Sequence, residues 1–507
     1  MSPRTSAESS IVRGPADGSG WRALRSGPGE SHDGAIPDGE VLGCLWHLSD
    51  LHICDAESPV RIPYLDRYAD PDSALKEEIE EVGTYRPQEI LTVQVAATMV
   101  ETVNGIPQGP VTGADIDAVL ITGDVTDNAQ TNELHWYSTL VHGGTVQPGS
   151  GGSMSTWVGV SDPTSWDEHY WHPDGPPAGF EPDRPMRLFG YPRVPGLIEA
   201  ARASVSSPGL AYPVLSVHGN HDALLQGTVA ADSELREHAV GSEEILRLSP
   251  GADPRDIAAA AAPNGPASYV IDPDAPRREI PADSGRAIVE PGDFARAAGR
   301  ESNYWVQDVG RLRIISLDTV NPFGGWQGSI DEDQLAWLGA QLESSRDRYV
   351  VIASHHPSPT MTNDYSTDGS RRVLGPEVVE LLLSHPNVVM WIAGHIHFNA
   401  AIRHGDDEND FWEVTTASLI DWPQQGRIFE FVETADGVDV ISTIVDHDSP
   451  LGWEPGDELT VAQMAGISRL LAANDYQRRT PTPMNELREG SPEVRNVVWR
   501  TRARLSE

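Results

Sequence analysis

The chain has 507 residues and a formal net charge of −40, a length at which a single hydrophobic core has usually stopped growing, so one elaborated domain or two are both open. Such acidity opposes tight binding to a nucleic-acid backbone, which needs clustered Lys and Arg to displace counterions. Its two cysteines, Cys44 and Cys54, cannot form a disulfide framework and suit a reducing compartment, and no apolar run approaches the roughly 18 residues of a membrane span.

Residues 1–40 are polar and rich in Gly, Ser and Pro, and the expectation is a disordered leader. Arg4, Arg13, Arg22 and Arg25 are interrupted by small and acidic residues with no apolar run behind them, so no signal peptide is read and a cytoplasmic location is expected. The main domain spans 41–456. Within it the short apolar runs 42–46, 118–121, 214–217, 349–353 and 388–392 read as buried strands. Helical spacing predicts helices over 74–81, 87–103, from about 132, over 232–248, 331–342 and 458–474. Two long inserts interrupt this pattern. The first, 144–196, is rich in Gly, Pro and Trp and reads equally as a lid with aromatic anchors or as a packed surface excursion. The second, 224–302, reads as a cap subdomain or a mobile loop. The runs 412–417 and 427–432 read as strands that close a second sheet, followed by 438–445. The last segment, 457–507, combines a helix with a basic tail carrying Arg478, Arg479, Arg488, Arg495, Arg500, Arg502 and Arg504. The tail can dock on the acidic body, bind an acidic partner or stay solvated.

Each of the five apolar runs is followed by residues suited to metal chemistry: Asp50-Leu-His52, Gly123-Asp124, Gly219-Asn220-His221-Asp222, His355-His356-Pro357 and Gly394-His395-Ile-His397. In an open α/β sheet, ligands gather outside the carboxyl ends of the strands, so five such strand ends point to one rim. Asn220 offers a neutral carbonyl oxygen, His221 a proton donor, and Asp222 a carboxylate able to hold that imidazole in one tautomer. Taken alone, Gly-Asn-His-Asp is also an ordinary turn sequence.

The order D-x-H, G-D, G-N-H-D, H-x-P, G-H-x-H resembles the calcineurin-like metallophosphoesterases, a superfamily of dinuclear metal phosphatases, phosphodiesterases and nucleases. The resemblance implies a four-layer α/β/β/α sandwich with large loop and cap insertions. It implies two divalent ions, Mn, Fe or Zn, bridged by Asp124. Asp50, His52 and His397 would complete one site, and Asn220, His355 and His395 the other. It further implies attack by a metal-bridging hydroxide on a phosphodiester or phosphomonoester of a small organic substrate, with His221 protonating the leaving group and Asp222 orienting His221. His356 and Asn128 are expected to support the ligands, and His47 to be a strand or supporting residue. Purple acid phosphatases place a tyrosine ligand three positions after the bridging aspartate; here that position is Asp127, which argues against a purple ferric site. A weaker likeness to the cyclic-nucleotide-phosphodiesterase-like branch rests on Leu317-Asp318 and on Gln334 with Trp337-Leu338, both read as structural. Two alternatives accompany this reading: a catalytically silent scaffold on the same fold, and a nuclease, which the charge disfavours. No membrane partner is expected, and the oligomeric state is not readable.

Overall fold

Apolar runs without alternation predict strands covered on both faces, and the five runs are covered in this way. The computed structural model describes residues 5–79, 85–152, 156–260, 272–478 and 488–505. Two mixed six-stranded sheets form its frame. In the first, Val497–Thr501, Gly437–Asp446, Gln425–Thr434, Glu40–Leu48, Ala118–Ile121 and Val214–Ser216 follow one another, the last three running parallel. In the second the order is Trp305–Val309, Leu312–Ser316, Tyr349–Ala353, Val388–Ala393, Asp410–Thr415 and Ala400–Gly405, with the inner four parallel.

The side-chain period of two then sorts residues into layers. Leu45 and Leu120 of the first sheet meet Ile314, Val351 and Ile392 of the second in a shared core between the sheets. Their neighbours Trp46, Val119 and Ile121 point outward onto Val93, Met99 and Val103 of the helix Thr92–Asn104 and onto Tyr137 and Leu140 of the helix Thr131–His142. On the far side, Ile315, Val350, Ile352 and Trp391 pack under Leu338 and Leu342 of the helix Glu332–Glu343 and Val378 and Leu382 of the helix Gly375–Leu383. These are the four layers α/β/β/α that the resemblance implies.

The structure corrects three expectations about elements. Strands 427–432 and 438–445 join the first sheet beside Glu40–Leu48, not the second. Nearly every residue of Gln425–Thr434 is buried, so the sequence pattern carries no face preference that could have told which sheet it enters. The expected helix 232–248 stops at Val240; Gly241 closes it and Glu243–Ile245 pairs as a strand with Arg277–Glu279. Residues 5–39, expected to lack order, contain the hairpin Ile11–Ala16/Arg22–Ser26, and Leu24 and Trp21 settle on Leu470 and Ala473 of the C-terminal helix Val461–Ala472 and its end. Composition averaged over the segment hides these few apolar anchors. Helix 74–81 is present over Lys76–Ile79, and the rest of that prediction lies outside the described residues.

Both inserts pack against the body. In the first, Trp171, Tyr191 and Val194 share a cluster with Met464, Ile467 and Leu471 of the C-terminal helix. In the second, Leu235, Ala239, Ile288 and Phe294 extend the helix layer over the first sheet. The basic tail docks: Arg495 pairs with Glu30 at 2.7 Å, and Val497–Thr501 adds the edge strand of the first sheet. Arg479 lies outside the described residues. Among the described residues no helix is long and apolar enough to cross a membrane.

Candidate metal centre

Three parallel strands of the first sheet and two of the second end at one rim, and every candidate ligand sits within five residues of such an end. There the backbone turns sharply. Asp50, His52, Asp124, His395 and His397 all adopt positive φ, between 45° and 71°, a conformation that costs a non-glycine residue on the order of 1–3 kcal/mol and persists where surroundings over-determine it. Gly219 fits the same crowded rim for a different reason. A Cβ there would lie 2.2 Å from the backbone nitrogen of Asp124, so the turn that presents Asn220 can approach the aspartate only without a side chain.

Asp50, His52, Asp124 and His397 bring one potential ligand atom each to within 4.8 Å of one another. His52 Nε2 stands 3.7 Å from Asp124 Oδ2, and His397 Nε2 stands 3.4 Å from Asp50 Oδ1. On the other side of Asp124, His355 Nε2 is 3.1 Å from the same Oδ2 and 3.2 Å from His395 Nδ1. The two sheets are stitched here, because His395 N donates to both carboxylate oxygens of Asp50 at 3.1 Å. Asn220 Nδ2 donates to the Gly227 carbonyl at 2.9 Å, which leaves its buried Oδ1 without a hydrogen-bond partner; His52 Nε2 is likewise unpartnered. A buried acceptor and a buried imidazole nitrogen left open amid carboxylates fit hard or borderline divalent cations.

Electrostatics follow from this crowding. Burial alone would raise the Asp124 carboxyl, yet the His355 and His221 rings beside it hold it well below the usual carboxylate range. Burial would lower His355, and the Asp124 carboxylate outweighs it, raising that imidazole to about 9. His395 goes the other way, pushed down by burial and by the neighbouring His356 and His355 rings.

The supporting residues separate cleanly by their contacts. His356, adjacent to His355 and His395 in space, has both ring nitrogens engaged, Nδ1 with Thr319 Oγ1 at 2.8 Å and Nε2 with the Trp326 carbonyl at 3.0 Å. Burial drives it down to about 3, so it is a neutral ring already spent on protein partners. His355 instead uses Nδ1 on the Thr122 carbonyl at 2.7 Å and aims Nε2 at Asp124. Asn128 accepts from Gln226 N at 2.8 Å and ties the turn after Asp222 to the loop after Asp124. Gln334 clamps the backbone of Asp318, accepting from its N–H and donating to its carbonyl, both at 2.8 Å. His47 is held between the hydroxyls of Thr416 and Thr122 at 2.7 and 2.8 Å.

Asp222 does something other than expected. Its carboxylate accepts from Val125 N and Thr126 N at 2.9 Å and from Gly219 N at 2.9 Å, bracing two loops. The His221 ring is oriented instead by the Asp127 carbonyl, 2.6 Å from Nδ1. A backbone acceptor carries no side-chain signal, so no sequence pattern could have named it. Two carboxylates were also missed. Asp127 Oδ1 lies 3.0 Å from His52 Nδ1, and Asp421 Oδ2 lies 2.7 Å from His397 Nδ1. Asp127 was noticed only as a missing tyrosine; Asp421 lies on the crossover between the sheets, where nothing in the spacing links it to His397. A cavity of about 500 Å³ between the inserts is lined by Trp166, Tyr170, Phe180, Ile245 and Arg278 among others, and by none of the candidate ligands.

Comparison with known proteins finds likenesses over part of the chain. The model of the calcineurin-like phosphoesterase family matches residues 196–399. A 3′,5′-cyclic adenosine monophosphate phosphodiesterase from Pseudomonas aeruginosa is 31% identical over 94 residues, 18% of this chain and 33% of that protein. A manganese-dependent ADP-ribose/CDP-alcohol diphosphatase from Xenopus tropicalis is 32% identical over 107 residues, 20% of this chain and 29% of that protein. The chain thus spans about a third of the length of these relatives. A dimetal phosphatase from Danio rerio aligns in structure with a TM-score of 0.35 and 12% identity, over 80% of this chain and 97% of that one. Residues 196–399 thus match the calcineurin-like phosphoesterase family, and the motifs Asn220, His355, His395 and His397 lie within that segment.

Proposed function

We propose that the chain is a dinuclear metallophosphoesterase hydrolysing a phosphodiester or phosphomonoester of a small organic molecule. The observation that carries this reading is the convergence of Asp50, His52, Asp124 and His397 on one point, with the open Asn220 Oδ1 and His52 Nε2 beside them. Asp50, His52 and His397 would hold one divalent ion, Asn220, His355 and His395 the other, and Asp124 both. Such a pair, of Mn, Fe or Zn, supplies a water nucleophile at neutral pH and a clamp on the phosphoryl oxygens. The chain's own residues do the rest. His221, with Nδ1 fixed on the Asp127 carbonyl, presents Nε2 as the proton donor to the leaving oxygen. Burial lowers its pKa against the pull of Asp124, which makes it a readier donor once charged. Asp222 holds the loops that carry Asp124 and His221 in register.

The names of the two curated relatives, a phosphodiesterase and a diphosphatase, support a small phosphorylated substrate. The test is hydrolysis of bis(p-nitrophenyl) phosphate and of p-nitrophenyl phosphate by Mn-loaded protein, with Asp124→Ala as control. Turnover of either ester that disappears in the variant supports the reading, and the faster ester decides between diester and monoester. Turnover equal in the variant refutes the mechanism.

A further inference from the structure

Among the described residues Trp326 is the one tryptophan that stands exposed, at 51%, whereas Trp46, Trp171 and Trp391 are at most 2% exposed. Isolated apolar residues on a surface are ordinary, but this one is placed and fixed. Its indole stacks on the His395 ring at 5.8 Å between centroids and 23° between planes. Its loop is pinned from several directions. Gly325 N donates to the Thr228 carbonyl at 2.8 Å, and Gly328 N to the Thr360 carbonyl at 3.0 Å. Asn363 Nδ2 donates to the Gly324 carbonyl at 2.8 Å, and the Trp326 carbonyl is 3.0 Å from His356 Nε2. A tryptophan that served only to shield His395 would be covered in turn by other chain. This one lies against a candidate ligand and still leaves about half of its surface to solvent.

The loop also adjoins the place where an ester group would leave. Thr228, which receives the Gly325 N–H, follows Gly227, and a Cβ on Gly227 would lie 2.4 Å from His221 Nε2. The turn 224–229 therefore links the His221 ring to the backbone that immediately precedes Trp326. We infer that Trp326 is a specificity-determining residue whose exposed surface stacks on a planar aromatic group of the substrate, so that the site takes phosphoesters carrying such a ring in preference to those of open-chain alcohols. This inference rests on the phosphoesterase reading above. A rigid indole pays little conformational entropy on binding, and base–aromatic stacking tolerates any ring with a π face.

The test is calorimetric titration of Mn-loaded full-length protein with adenosine 5′-monophosphate and, separately, glycerol 1-phosphate, which offer the same phosphate dianion with and without a planar group. Wild type is expected to favour the adenosine compound by on the order of tenfold. In Trp326→Ala that ratio should fall towards one, and Trp326→Phe should restore most of it, which a variant damaged in folding would not do. A ratio unchanged in Trp326→Ala, or a wild type that binds both probes equally, overturns the inference while ester hydrolysis stands. A wild type that binds neither probe and hydrolyses no ester overturns the inference together with the reading beneath it.

Discussion

The two halves of the cleft are backed differently. In the half made by Asp50, His52 and His397, both imidazoles lean on carboxylates, His52 on Asp127 and His397 on Asp421. In the half made by Asn220, His355 and His395, the backing is neutral: the Thr122 carbonyl behind His355 and the Gly227 carbonyl behind the Asn220 amide. A carboxylate behind an imidazole fixes its tautomer and raises its basicity as a ligand. On the proposed metal reading, the first half would hold its cation more tightly, and the second would donate less charge to its own. Asp421 is in turn surrounded by cations. Burial opposes its charge, and Arg478 at 2.5 Å with Arg86 at 3.0 Å keep it well below the usual carboxylate range. Because Arg478 follows the helix Val461–Ala472, the segment after that helix reaches the candidate cleft at Asp421.

The largest effect should come from the residue that both halves share. Asp124→Ala is expected to bring hydrolysis to background and to lower metal content in both halves, measured by elemental analysis after gel filtration. Full metal retention would show that neither half depends on the shared carboxylate. Next in size, Asp421→Asn keeps the shape of the side chain and removes its charge. Loss of such backing typically costs 10- to 100-fold in metal affinity, and here it should fall on one half alone. Competition with a chelator should then release one ion early and one at the wild-type rate. Simultaneous release would break the distinction between the halves.

A more local variant probes the neutral half. Gly227 has a φ of 64°, and a Cβ on it would meet His221 Cδ2 at 2.3 Å and Asn220 Nδ2 at 2.4 Å. Gly227→Ala should therefore displace the proton donor and the neutral ligand together. General acid catalysis is worth roughly 10²- to 10⁴-fold, so a partial displacement should lower kcat by about tenfold with the first ion still bound. Unchanged kcat would mean that His221 tolerates the shift and is not the donor.

What could be read in advance follows the range of each interaction. The five motifs were legible because strand, turn and ligand are contiguous, and a local pattern of apolar run then His or Asp survives in one dimension. Naming Asn220, His355 and His397 as candidate ligands drew on these motifs and the family resemblance they carry, and needed no knowledge of this chain's own fold. Asp421 did, since it approaches His397 only after the chain crosses from the second sheet to the first. The same crossover hid the sheet to which Gln425–Thr434 belongs. Asp222 misled for the opposite reason: adjacency in sequence suggested that it held the His221 ring, whereas a 3-10 turn over Asn220–Asp222 directs it to the backbone of neighbouring loops. The leader was misread because Trp21 and Leu24 are few, and their partners lie some 450 residues further on.

The smallest effect tests whether partners, rather than burial alone, set the state of a histidine at this rim. His47 and His397 both sit at the cleft-facing end of the fold and differ in what faces them. His397, opposite Asp50 and Asp421, is raised despite burial. His47, between two hydroxyls and near Arg427, is lowered by burial first and by that guanidinium second, to about 3. With its folded value depressed and its unfolded value near 6.5, the folded state binds fewer protons than the unfolded one throughout that window. Stability should therefore rise with pH between about 3 and 6.5 and level off above it. Thermal unfolding of wild type and His47→Gln across pH 4 to 8 reads this directly. The variant is expected to lose part of the slope below pH 6.5 while losing some stability above it, because glutamine reaches only one of the two hydroxyls well. Parallel pH profiles for the two proteins would mean that His47 is not held neutral by its surroundings, and that burial and partners are more nearly balanced there than the contrast with His397 implies.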